Sequence, residues 1–458
     1  MITVGLPKLA LTDLRAPTLV AEFDLSCPAE LIADPAARAG GLSVVVVEAA
    51  KVASPPRQAL VLVRLHGEPI GSVCVALDQN GTSVATVREA VTDELAGLVA
   101  RQFGADLLTE GGWDALTPPT EFAHAHAAHV AAPERVAVVL CTRERPLEVA
   151  RCLASLAAQD HPDFSVWIID NAPASNATRA VVEEYSDRLD LHYVLAPRPG
   201  LARARNVALA ADLDAEVVAW IDDDEVADSQ WLTELSRSLQ GRPDADAVSG
   251  LVLPAELLTA AEIWFEQFGG HSKGRGYLPA EFSPDTWHVQ DPLFPLPAFG
   301  VGANMAFRVA ALRRIGGFDE ALGAGTLAMG AEDTKAFTDL LLAKGTVLYR
   351  PSAVCRHYHR RDIDGLERQM RGYGTGLTAF YTAMLVSRPS TAWSVLRLVG
   401  RGLGELTSRD GMREATIGAD FPRSLLAANR RSMLRGPDRY LRQRLFDAFL
   451  SRSRRSRS

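Results

Sequence analysis

Cysteine is scarce in this sequence, with five residues among 458 and no Cys-x-x-Cys pair. Zinc sites and disulfide frameworks need closely or regularly spaced cysteines, so the sequence gives no sign of either. Scattered, odd-numbered thiols favour a reduced protein of the cytosol. The five residues are Cys27, Cys74, Cys141, Cys152 and Cys355.

The sequence also lacks a long hydrophobic run. The longest apolar stretch near the C-terminus, residues 377–386, is far shorter than the roughly 20 residues that a membrane-spanning helix needs. No basic segment followed by an apolar one indicates a signal peptide near the N-terminus. We therefore expect a cytoplasmic protein, with the inner face of the plasma membrane as one location open to it.

Positive charge is missing from most of the chain. Of the formal net charge of −8, residues 421–458 contribute +9 through eleven Arg and two Asp, which leaves −17 for the rest. An acidic body argues against nucleic acid as a partner.

The Arg-rich C-terminal segment predicts an amphipathic helix with basic flanks. One interpretation is peripheral contact with an anionic membrane surface. The other is a helix that packs on the domain and ends in a disordered Arg/Ser tail. The apolar residues between Arg442 and its neighbours are Leu441, Leu445, Phe446, Phe449 and Leu450.

Residues 1–130 indicate a separate small α+β module of unknown role. Its pattern predicts two strands joined by a turn and then a helix. The strands are expected at 59–65 and 70–77, and the helix at 87–103.

Three histidines near the end of this module resemble a metal site at first sight. His124, His126 and His129 have the spacing i, i+2 and i+5, so they do not share one face of a helix. Pro133 follows them, and a linker is the favoured interpretation.

From residue 135 onward, short apolar segments alternate with helical patterns. Strands joined by helical crossovers are typical of an α/β fold with a doubly wound, mostly parallel sheet. Polar residues follow several strands, and the carboxyl ends of parallel strands meet at one edge, so we expect a nucleotide-type cleft there. The predicted strands are 136–140, 165–170, 191–195 and 217–221, and the predicted helices are 146–158, 175–185 and 201–211.

The most informative pattern is the acidic run Asp222-Asp223-Asp224, directly after the apolar segment 217–221. Three neighbouring carboxylates repel one another, and a bound cation would relieve that repulsion. A solvated acidic turn that caps the following helix is the alternative. The expected cleft at this strand end favours the cation site.

Eight segments resemble family 2 glycosyltransferases, in the order that the family has them. The resemblance covers about residues 134–375 and implies a GT-A-type fold. The implied domains are 1–130, 131–375 and a helical, Arg-rich C-terminal region at 376–458. The segments are 138–145, 153–159, 167–171, 199–206, 222–224, 300–307, 316–320 and 330–333.

The resemblance implies that several residues bind a nucleotide-sugar donor. Asp170 would accept hydrogen bonds from a uracil-like base, although an Asp at this point can also cap a turn. Arg203 and Arg205 open a helix, where Arg suits phosphate, but residues i and i+2 point apart and only one need face the site. The implied donor-binding residues are Thr142, Arg143, Asp170, Arg203, Arg205, Asp222 and Asn304.

The acidic run is similar to the family's DxD motif, with Asp222 and Asp224 as its two acids and Asp223 as a solvent-facing bystander. This similarity implies Mn²⁺ or Mg²⁺, which would neutralise the leaving diphosphate. Relatives place a metal-contacting His in a later segment. His357 is the preferred metal ligand and His359 the other candidate, while a histidine that only supports its neighbours remains the alternative.

The segment 330–333 precedes a helical pattern at 334–344. An acid there can be a plain helix cap, or a carboxylate kept ionised by the helix dipole. The resemblance marks Asp333 as the general base, which takes a proton from the acceptor hydroxyl. Glu332 is then expected to orient sugar hydroxyls.

Aromatic residues between the acidic run and the base are candidates for acceptor binding. Trp264 could stack on a sugar ring, yet Trp264 and Phe268 stand at i and i+4 and suit a helix core equally well. Residues 369–373 begin like the QxxRW stretch of processive synthases but lack its Trp, which disfavours polymer synthesis.

Together these patterns predict a metal-dependent, inverting glycosyltransferase of the hexosyltransferase type. The donor would be a UDP-, dTDP- or GDP-sugar. The acceptor would be a hydroxyl of a glycan, a lipid-linked sugar or a secondary metabolite, in cell-envelope or exopolysaccharide synthesis. Inversion is expected because a single base and no placed nucleophile imply one displacement. The alternatives are a nucleotidyltransferase and a non-catalytic nucleotide-sugar-binding protein of the same fold.

Overall fold

The computed structural model describes most of the chain. The histidines at 124, 126 and 129 and Cys27 lie outside the described residues. The described residues are 14–25, 43–44, 55–77, 82–103, 134–272, 274–287, 291–294, 299–398 and 417–455.

The strands form two separate sheets. They are β1 (Leu19–Asp24), β2 (Ser43–Val44), β3 (Gln58–Leu65), β4 (Glu68–Ala76), β5 (Val136–Thr142), β6 (Phe164–Asn171), β7 (Leu191–Ala196), β8 (Val217–Asp222), β9 (Glu225–Ala227), β10 (Ala247–Pro254), β11 (Ala280–Phe282), β12 (Asn304–Arg308) and β13 (Val347–His357).

The helices flank the larger sheet and form most of the C-terminal region. They include α1 (Val84–Phe103), α2 (Pro146–Leu156), α3 (Ala177–Glu184), α4 (Leu201–Ala210), α5 (Trp231–Gln240), α6 (Ala260–Gln267), α7 (Val309–Arg314), α8 (Glu332–Leu342), α9 (Ile363–Ser387), α10 (Arg423–Met433) and α11 (Gly436–Arg455).

The larger sheet has the order β11-β13-β10-β12-β8-β5-β6-β7, and β9 pairs with β13. Strands β8, β5, β6 and β7 are mutually parallel, which confirms the four predicted strands and the doubly wound arrangement. The antiparallel strand β12 separates them from the parallel pair β10 and β13. The sheet is therefore mixed but mostly parallel in its first half.

Both faces of this sheet are buried, as its continuous apolar strands require. In β5, Val138 and Leu140 pack into one hydrophobic cluster, whereas Ala137 and Val139 pack into a second cluster on the opposite face. Helices therefore cover both sides, and the carboxyl edge of the strands is left as the place for a cleft.

The strand register brings the predicted polar ends together. Thr142 pairs with Asp170 across β5 and β6, and Cys141 pairs with Asp222 across β5 and β8. Because these strands end at the same level, their polar residues share one edge of the sheet.

The short strand β9 follows the acidic run directly and joins the half of the sheet that contains β13. It pairs antiparallel with the end of β13, with Glu225 opposite His357. This pairing places Asp224 beside the histidine segment, although 133 positions separate His357 from Asp224 in the sequence.

The N-terminal sheet has the order β2-β1-β3-β4. Strands β3 and β4 form the predicted hairpin, joined at His66 and Gly67, both with positive φ (55° and 81°). Two successive residues with positive φ give a tight turn that suits the twist of a hairpin. Helix α1 then covers one face of the sheet through Val91, Leu95 and other apolar residues.

A chain of charged residues joins the N-terminal sheet to the larger one. The guanidinium of Arg64 lies 2.7 Å from Asp228 and 3.3 Å from Glu22, and Arg356 of β13 also pairs with Glu22. Burial raises the pKa of Glu22, but Arg356 and Arg64 outweigh it and lower the pKa below its ordinary value. The N-terminal sheet therefore holds both β13 and the residue that follows β9.

Helix α9 passes through the predicted domain boundary at 375/376 without interruption. Helix α10 packs on it, and Asn429 donates to the Met370 carbonyl at 2.7 Å. The C-terminal helices are thus continuous with the preceding region, and the predicted boundary falls inside α9. In the described part of the chain, no helix combines the length and apolar character needed to cross a bilayer.

The ion pairs of Arg64 should contribute much of the stability of the contact between the N-terminal sheet and the larger sheet. Arg64→Met removes a buried cation between two partly buried carboxylates, so we expect a loss of about 3 kcal/mol in the free energy of unfolding. Chemical denaturation of the full chain measures this loss. The exposed Arg57 is the control, because Arg57→Met should change stability by less than about 0.5 kcal/mol. Equal effects of the two substitutions would contradict a role for the network.

Candidate active site

A cavity of about 830 Å³ lies at the shared polar edge of β5, β6 and β8. It is lined by eight of the residues that the sequence singles out, which are therefore brought together from distant segments. They are Thr142, Arg143, Arg205, Asp222, Asp224, Glu332, Asp333 and His357.

The acidic run lies against this cavity and is largely buried. Asp223 is 5% exposed, accepts a hydrogen bond from the Thr142 hydroxyl at 2.7 Å and is paired with Arg145. The expectation of a solvent-facing Asp223 is therefore wrong. The residue turns inward because the end of β5 supplies a hydroxyl and a cation for its carboxylate.

Asp224 is surrounded by nitrogen-bearing side chains. One carboxylate oxygen lies 3.3 Å from His357 Nε2, and the other lies 3.0 Å from Arg145 and 3.4 Å from Arg360. Burial raises the pKa of Asp224, but His357 and the two arginines outweigh it and hold the pKa well below its ordinary value. Asp224 is thus an anion at any physiological pH.

Arg145 and Arg360 were missed as site residues by the sequence analysis, although both line the cavity. The signal that could have found them is electrostatic. Three successive carboxylates, two of them buried, require neighbouring cations. Arg145 follows the strand end at Thr142, and Arg360 follows His359, so both lie in segments that the sequence already singles out.

Arg205 connects the acidic run with the start of α8. Its guanidinium lies 3.3 Å from Asp222 and 2.9 Å from Glu332, and it donates to the Gly302 carbonyl at 3.0 Å. The side chain is 2% exposed, so these groups hold it in one position. A β-carbon at Gly302 would approach the Arg205 guanidinium to 2.7 Å, which explains the glycine.

Arg203 points away from the cavity, so its expected role in donor binding is not supported. Its guanidinium pairs with Asp447 at 2.5 Å and lies 3.4 Å from Glu320. The expectation that only one of the two arginines faces the site is met by the geometry, with Arg205 inside. The C-terminal helix α11 supplies the acid that draws Arg203 outward.

Asp333 stands in the first turn of α8, after Ala331 with a positive φ of 71°. One carboxylate oxygen accepts from the Gly302 N–H at 2.6 Å, and the other accepts from the Thr334 N–H at 2.6 Å. Two backbone donors therefore fix the carboxylate in the cavity wall.

Glu332, the neighbouring acid, has a different environment. It is fully buried against Arg205, and burial together with the charge of Asp333 raises its pKa to about 7 in spite of that arginine. Glu332 can therefore carry a proton near neutral pH.

Asp170 lies at the end of β6, completely buried and just behind the cavity-lining Asn171. One oxygen accepts from the Tyr193 hydroxyl at 2.7 Å, and the other has no hydrogen-bond partner among the described residues. Burial raises the pKa of Asp170. An orphaned buried acceptor at this place suits a ligand that brings its own N–H.

Asn304 does not line the cavity, so the implied donor contact of its side chain is not supported. Its amide donates to the carbonyls of Leu251 and Ala353 and accepts from Trp231 at 2.9 Å. These bonds use the whole amide group. Asn304 therefore ties β12 to its neighbours in the sheet.

Trp264 likewise lies outside the cavity. It is half-buried and packs with Phe268 and other apolar residues in a cluster between α6 and the C-terminal helices. The structure thus supports the core interpretation of Trp264 and gives no support to acceptor binding.

The positions of the two candidate histidines show which of them faces the cavity. His357 lines the cavity opposite Asp224, whereas His359 is completely buried behind it and contacts Glu266 at 2.7 Å. Burial lowers the pKa of His359 in spite of Glu266. His357 is therefore the histidine that could contact a bound ion.

The side chains at this point can form part of a metal site. A carboxylate oxygen and an imidazole nitrogen suit Mn²⁺, and Asp224 and His357 present these two atoms to each other at the cavity wall. Among the described residues, no three His, Cys, Asp or Glu side chains are arranged to hold an ion by themselves. An ion here would need further ligands from a bound molecule or water.

The sequence model of Glycosyl transferase family 2 matches residues 137–316. This segment runs from the first strand of the doubly wound sheet to the turn after α7. Over this segment the chain is similar to the family 2 glycosyltransferases, as its motifs indicate. The match and the observed sheet confirm the GT-A-type α/β fold.

Two curated relatives illustrate the similarity. The succinoglycan biosynthesis protein ExoM of Rhizobium meliloti is 30% identical over 220 residues, which cover 47% of this chain and 63% of that protein. A glucosyl-dolichyl phosphate glucuronosyltransferase of Haloferax volcanii is 28% identical over 198 residues, 41% of this chain and 57% of its own. The chain spans less than two thirds of either relative.

A solved structure with a related arrangement is a mannosyltransferase from Pyrobaculum calidifontis in complex with GDP-Man and Mn²⁺. It has 18% sequence identity and a TM-score of 0.44, and the superposition covers 76% of this chain and 98% of that one.

The raised pKa of Glu332 predicts a pH-dependent stability. Because the folded protein binds this proton more tightly than the unfolded chain, stability should fall as the pH rises from about 4.5 to about 7. Glu332→Gln should remove up to about 3 kcal/mol of this decline, since a shift of roughly 2.5 pKa units at about 1.4 kcal/mol each is mostly spanned between pH 5 and 8. Denaturation curves from pH 5 to 8 measure it, with the half-exposed Glu320→Gln as control. An unchanged slope in Glu332→Gln would contradict the assigned pKa.

Proposed function

We propose that this protein is a metal-dependent, inverting glycosyltransferase that uses a nucleotide-diphosphate sugar as donor. The observation that carries the proposal is a single cavity lined by Asp224 and His357 on one part of its wall and by Asp333 on another. The first pair suits a cation with a diphosphate, and the fixed carboxylate suits a base. Sugar transfer from a nucleotide donor needs both.

The donor base would bind beside the end of β6. Asp170 holds an unpaired carboxylate oxygen there, and Thr142 and Asn171 line the adjacent cavity wall. A uracil- or guanine-like edge carries N–H groups that could satisfy that oxygen. The candidate donors are thus UDP-, dTDP- and GDP-sugars, since thymine carries the same ring N–H as uracil.

The diphosphate would bind between the arginines and the acidic run. Arg145, Arg360 and the exposed Arg143 line this part of the cavity. A guanidinium group can donate two parallel hydrogen bonds to phosphate oxygens. A bound diphosphate would draw Arg145 and Arg360 away from Asp224. That carboxylate would then be open to a cation.

Asp224 and His357 would hold the metal, with Asp222 beside the ribose and sugar. A divalent ion bound there, Mn²⁺ or Mg²⁺, supplies Lewis-acid stabilisation of the negative charge on the leaving diphosphate. Arg205 keeps Asp222 and Glu332 in place through its two contacts.

Asp333 would act as the general base. The Gly302 and Thr334 N–H groups orient its carboxylate, which takes the proton of the acceptor hydroxyl while that oxygen bonds to the anomeric carbon. The bond from the same carbon to the diphosphate breaks in this step, and the electron pair leaves with the diphosphate. One attack from the opposite side inverts the configuration.

The acceptor class is suggested by the names of the relatives. One acts in succinoglycan biosynthesis and the other glycosylates a glucosyl-dolichyl phosphate, so an envelope or extracellular glycan on a lipid carrier is the proposed acceptor. Such an acceptor would be presented at the cytoplasmic face of the membrane.

Helix α11 supports this location, because its apolar side faces away from the protein. Its polar residues Tyr440, Gln443 and Asp447 bond to the body, while Leu445 and Phe449 are 71% and 69% exposed. A helix that only packs on the domain would show the reverse. Arg-rich flanks and an outward apolar face suit an anionic lipid surface.

Asp333→Asn should abolish turnover but leave donor binding intact. We expect the loss to be about 10²- to 10⁴-fold in kcat, the usual contribution of a general base. A thermal-shift screen of UDP-, GDP- and dTDP-sugars with Mn²⁺ identifies the donor, and donor hydrolysis or transfer then measures turnover. Asp364→Asn, which changes an exposed carboxylate of α9, is the control. Full activity of Asp333→Asn would exclude the assigned base, and donor binding without turnover by the unaltered protein would favour a binding protein.

The outward face of α11 should be needed for membrane binding. The triple change Leu445→Gln, Phe446→Gln and Phe449→Gln should weaken binding to phosphatidylglycerol vesicles at least about tenfold, because it removes the apolar area that the lipid would bury. Vesicle sedimentation of the full chain measures this, with neutral phosphatidylcholine vesicles as a second arm. Exposed apolar residues elsewhere provide the control, Leu147→Gln with Leu195→Gln. Equal binding by both variants, or self-association that only the triple change abolishes, would contradict a membrane surface.

A further inference from the structure

A chain of polar contacts leads from the cavity into the protein through two histidines. Asp224 lies 3.3 Å from His357 Nε2, and the Nδ1 atoms of His357 and His359 are 2.8 Å apart. His359 Nε2 is 2.7 Å from a carboxylate oxygen of Glu266, on helix α6. The cavity wall is thus connected to a buried acid that does not reach the cavity.

The inner end of this chain has a defined direction. A carboxylate of Glu266 can only accept a hydrogen bond, so the hydrogen in that contact belongs to His359 Nε2. Phe265 packs edge-on against the His359 ring at 4.7 Å, and the side chain of His359 is completely buried. A second proton on this ring would place an imidazolium in a poorly solvated position, which is unfavourable.

The contact between the two rings then follows. A neutral His359 that carries its hydrogen on Nε2 has a bare Nδ1, which accepts. The one hydrogen between the Nδ1 atoms therefore belongs to His357. With Nδ1 as the donor, His357 has Nε2 as the nitrogen that remains for the cavity.

The opposite placement of this single proton would change the site. If His359 donated from Nδ1, His357 would accept there, and a neutral His357 would carry its own hydrogen on Nε2. That hydrogen would point at Asp224, where a cation would have to lie. The location of one proton thus decides whether His357 and Asp224 can share an ion.

We propose that Glu266 and His359 are positioning residues that keep the Nδ1 proton on His357, so that its Nε2 lone pair is available to a divalent cation beside Asp224. This inference rests on the metal dependence of the proposed function. It assigns Glu266 of α6 a role that no sequence motif indicates.

The proton position can be read directly in the full-length, metal-free protein. Histidine ¹H–¹⁵N correlation spectra distinguish protonated from bare ring nitrogens, and the variants His357→Asn and His359→Asn identify the signals. We expect a protonated Nδ1 on His357, and a bare Nδ1 with a protonated Nε2 on His359. A proton on His359 Nδ1 would overturn the inference. This result does not depend on whether the protein binds metal.

Metal affinity tests the consequence. Glu266→Leu and His359→Leu should weaken Mn²⁺ binding in the presence of UDP or GDP by about ten- to a hundredfold, the usual effect of losing a residue that orients a ligand. His359→Asn places an amide oxygen near the former Nδ1, so it should keep the affinity within about threefold. Calorimetry or Mn²⁺ electron paramagnetic resonance measures each affinity.

Two matched substitutions control for the loss of a buried acid or imidazole. Glu256→Gln and His161→Asn change buried residues outside this chain and should leave Mn²⁺ affinity unaltered. Equal affinities of Glu266→Leu, His359→Leu and the unaltered protein would overturn the inference. If the unaltered protein binds no Mn²⁺, the metal dependence of the proposed function is wrong, and the spectra still decide where the proton lies.

Discussion

The repulsion among the buried carboxylates of the acidic run is the constraint on which the site depends. Burial and mutual proximity both oppose ionisation of three successive acids, so the fold has to supply positive charge around them. Arg145 and Arg205 supply it from two different elements. The same arginines favour binding of a diphosphate, because they can pair with phosphate oxygens in place of the carboxylates.

That arrangement is maintained by contacts far from the cavity. Strand β9 pairs with the end of β13, and this pairing places Asp224 opposite His357. The N-terminal sheet contacts both strands through ion pairs. Arg64 pairs with Asp228, which follows β9, and Glu22 pairs with Arg356 near the end of β13. The N-terminal module thus has a structural connection to the site even though none of its described residues lines the cavity.

Much of the fold follows from local sequence patterns, but parts of the site do not. Apolar segments of strand length separated by helical patterns predicted β5 to β8 within about two residues of their observed ends. The burial of Asp223 and the outward turn of Arg203 were not predictable, because each depends on a partner distant in sequence, Arg145 and Asp447. The roles of Asp333 and Asp224 stay predictions that the geometry supports.

The central claim is that Asp224 and His357 together hold a divalent cation that a nucleoside diphosphate completes. Anomalous diffraction from crystals grown with Mn²⁺ and the nucleotide found by thermal shift tests it most directly. We expect a manganese peak bonded to an Asp224 oxygen and His357 Nε2, with the diphosphate beside Arg145. A nucleotide bound in the cavity with no manganese between these two side chains would contradict the account.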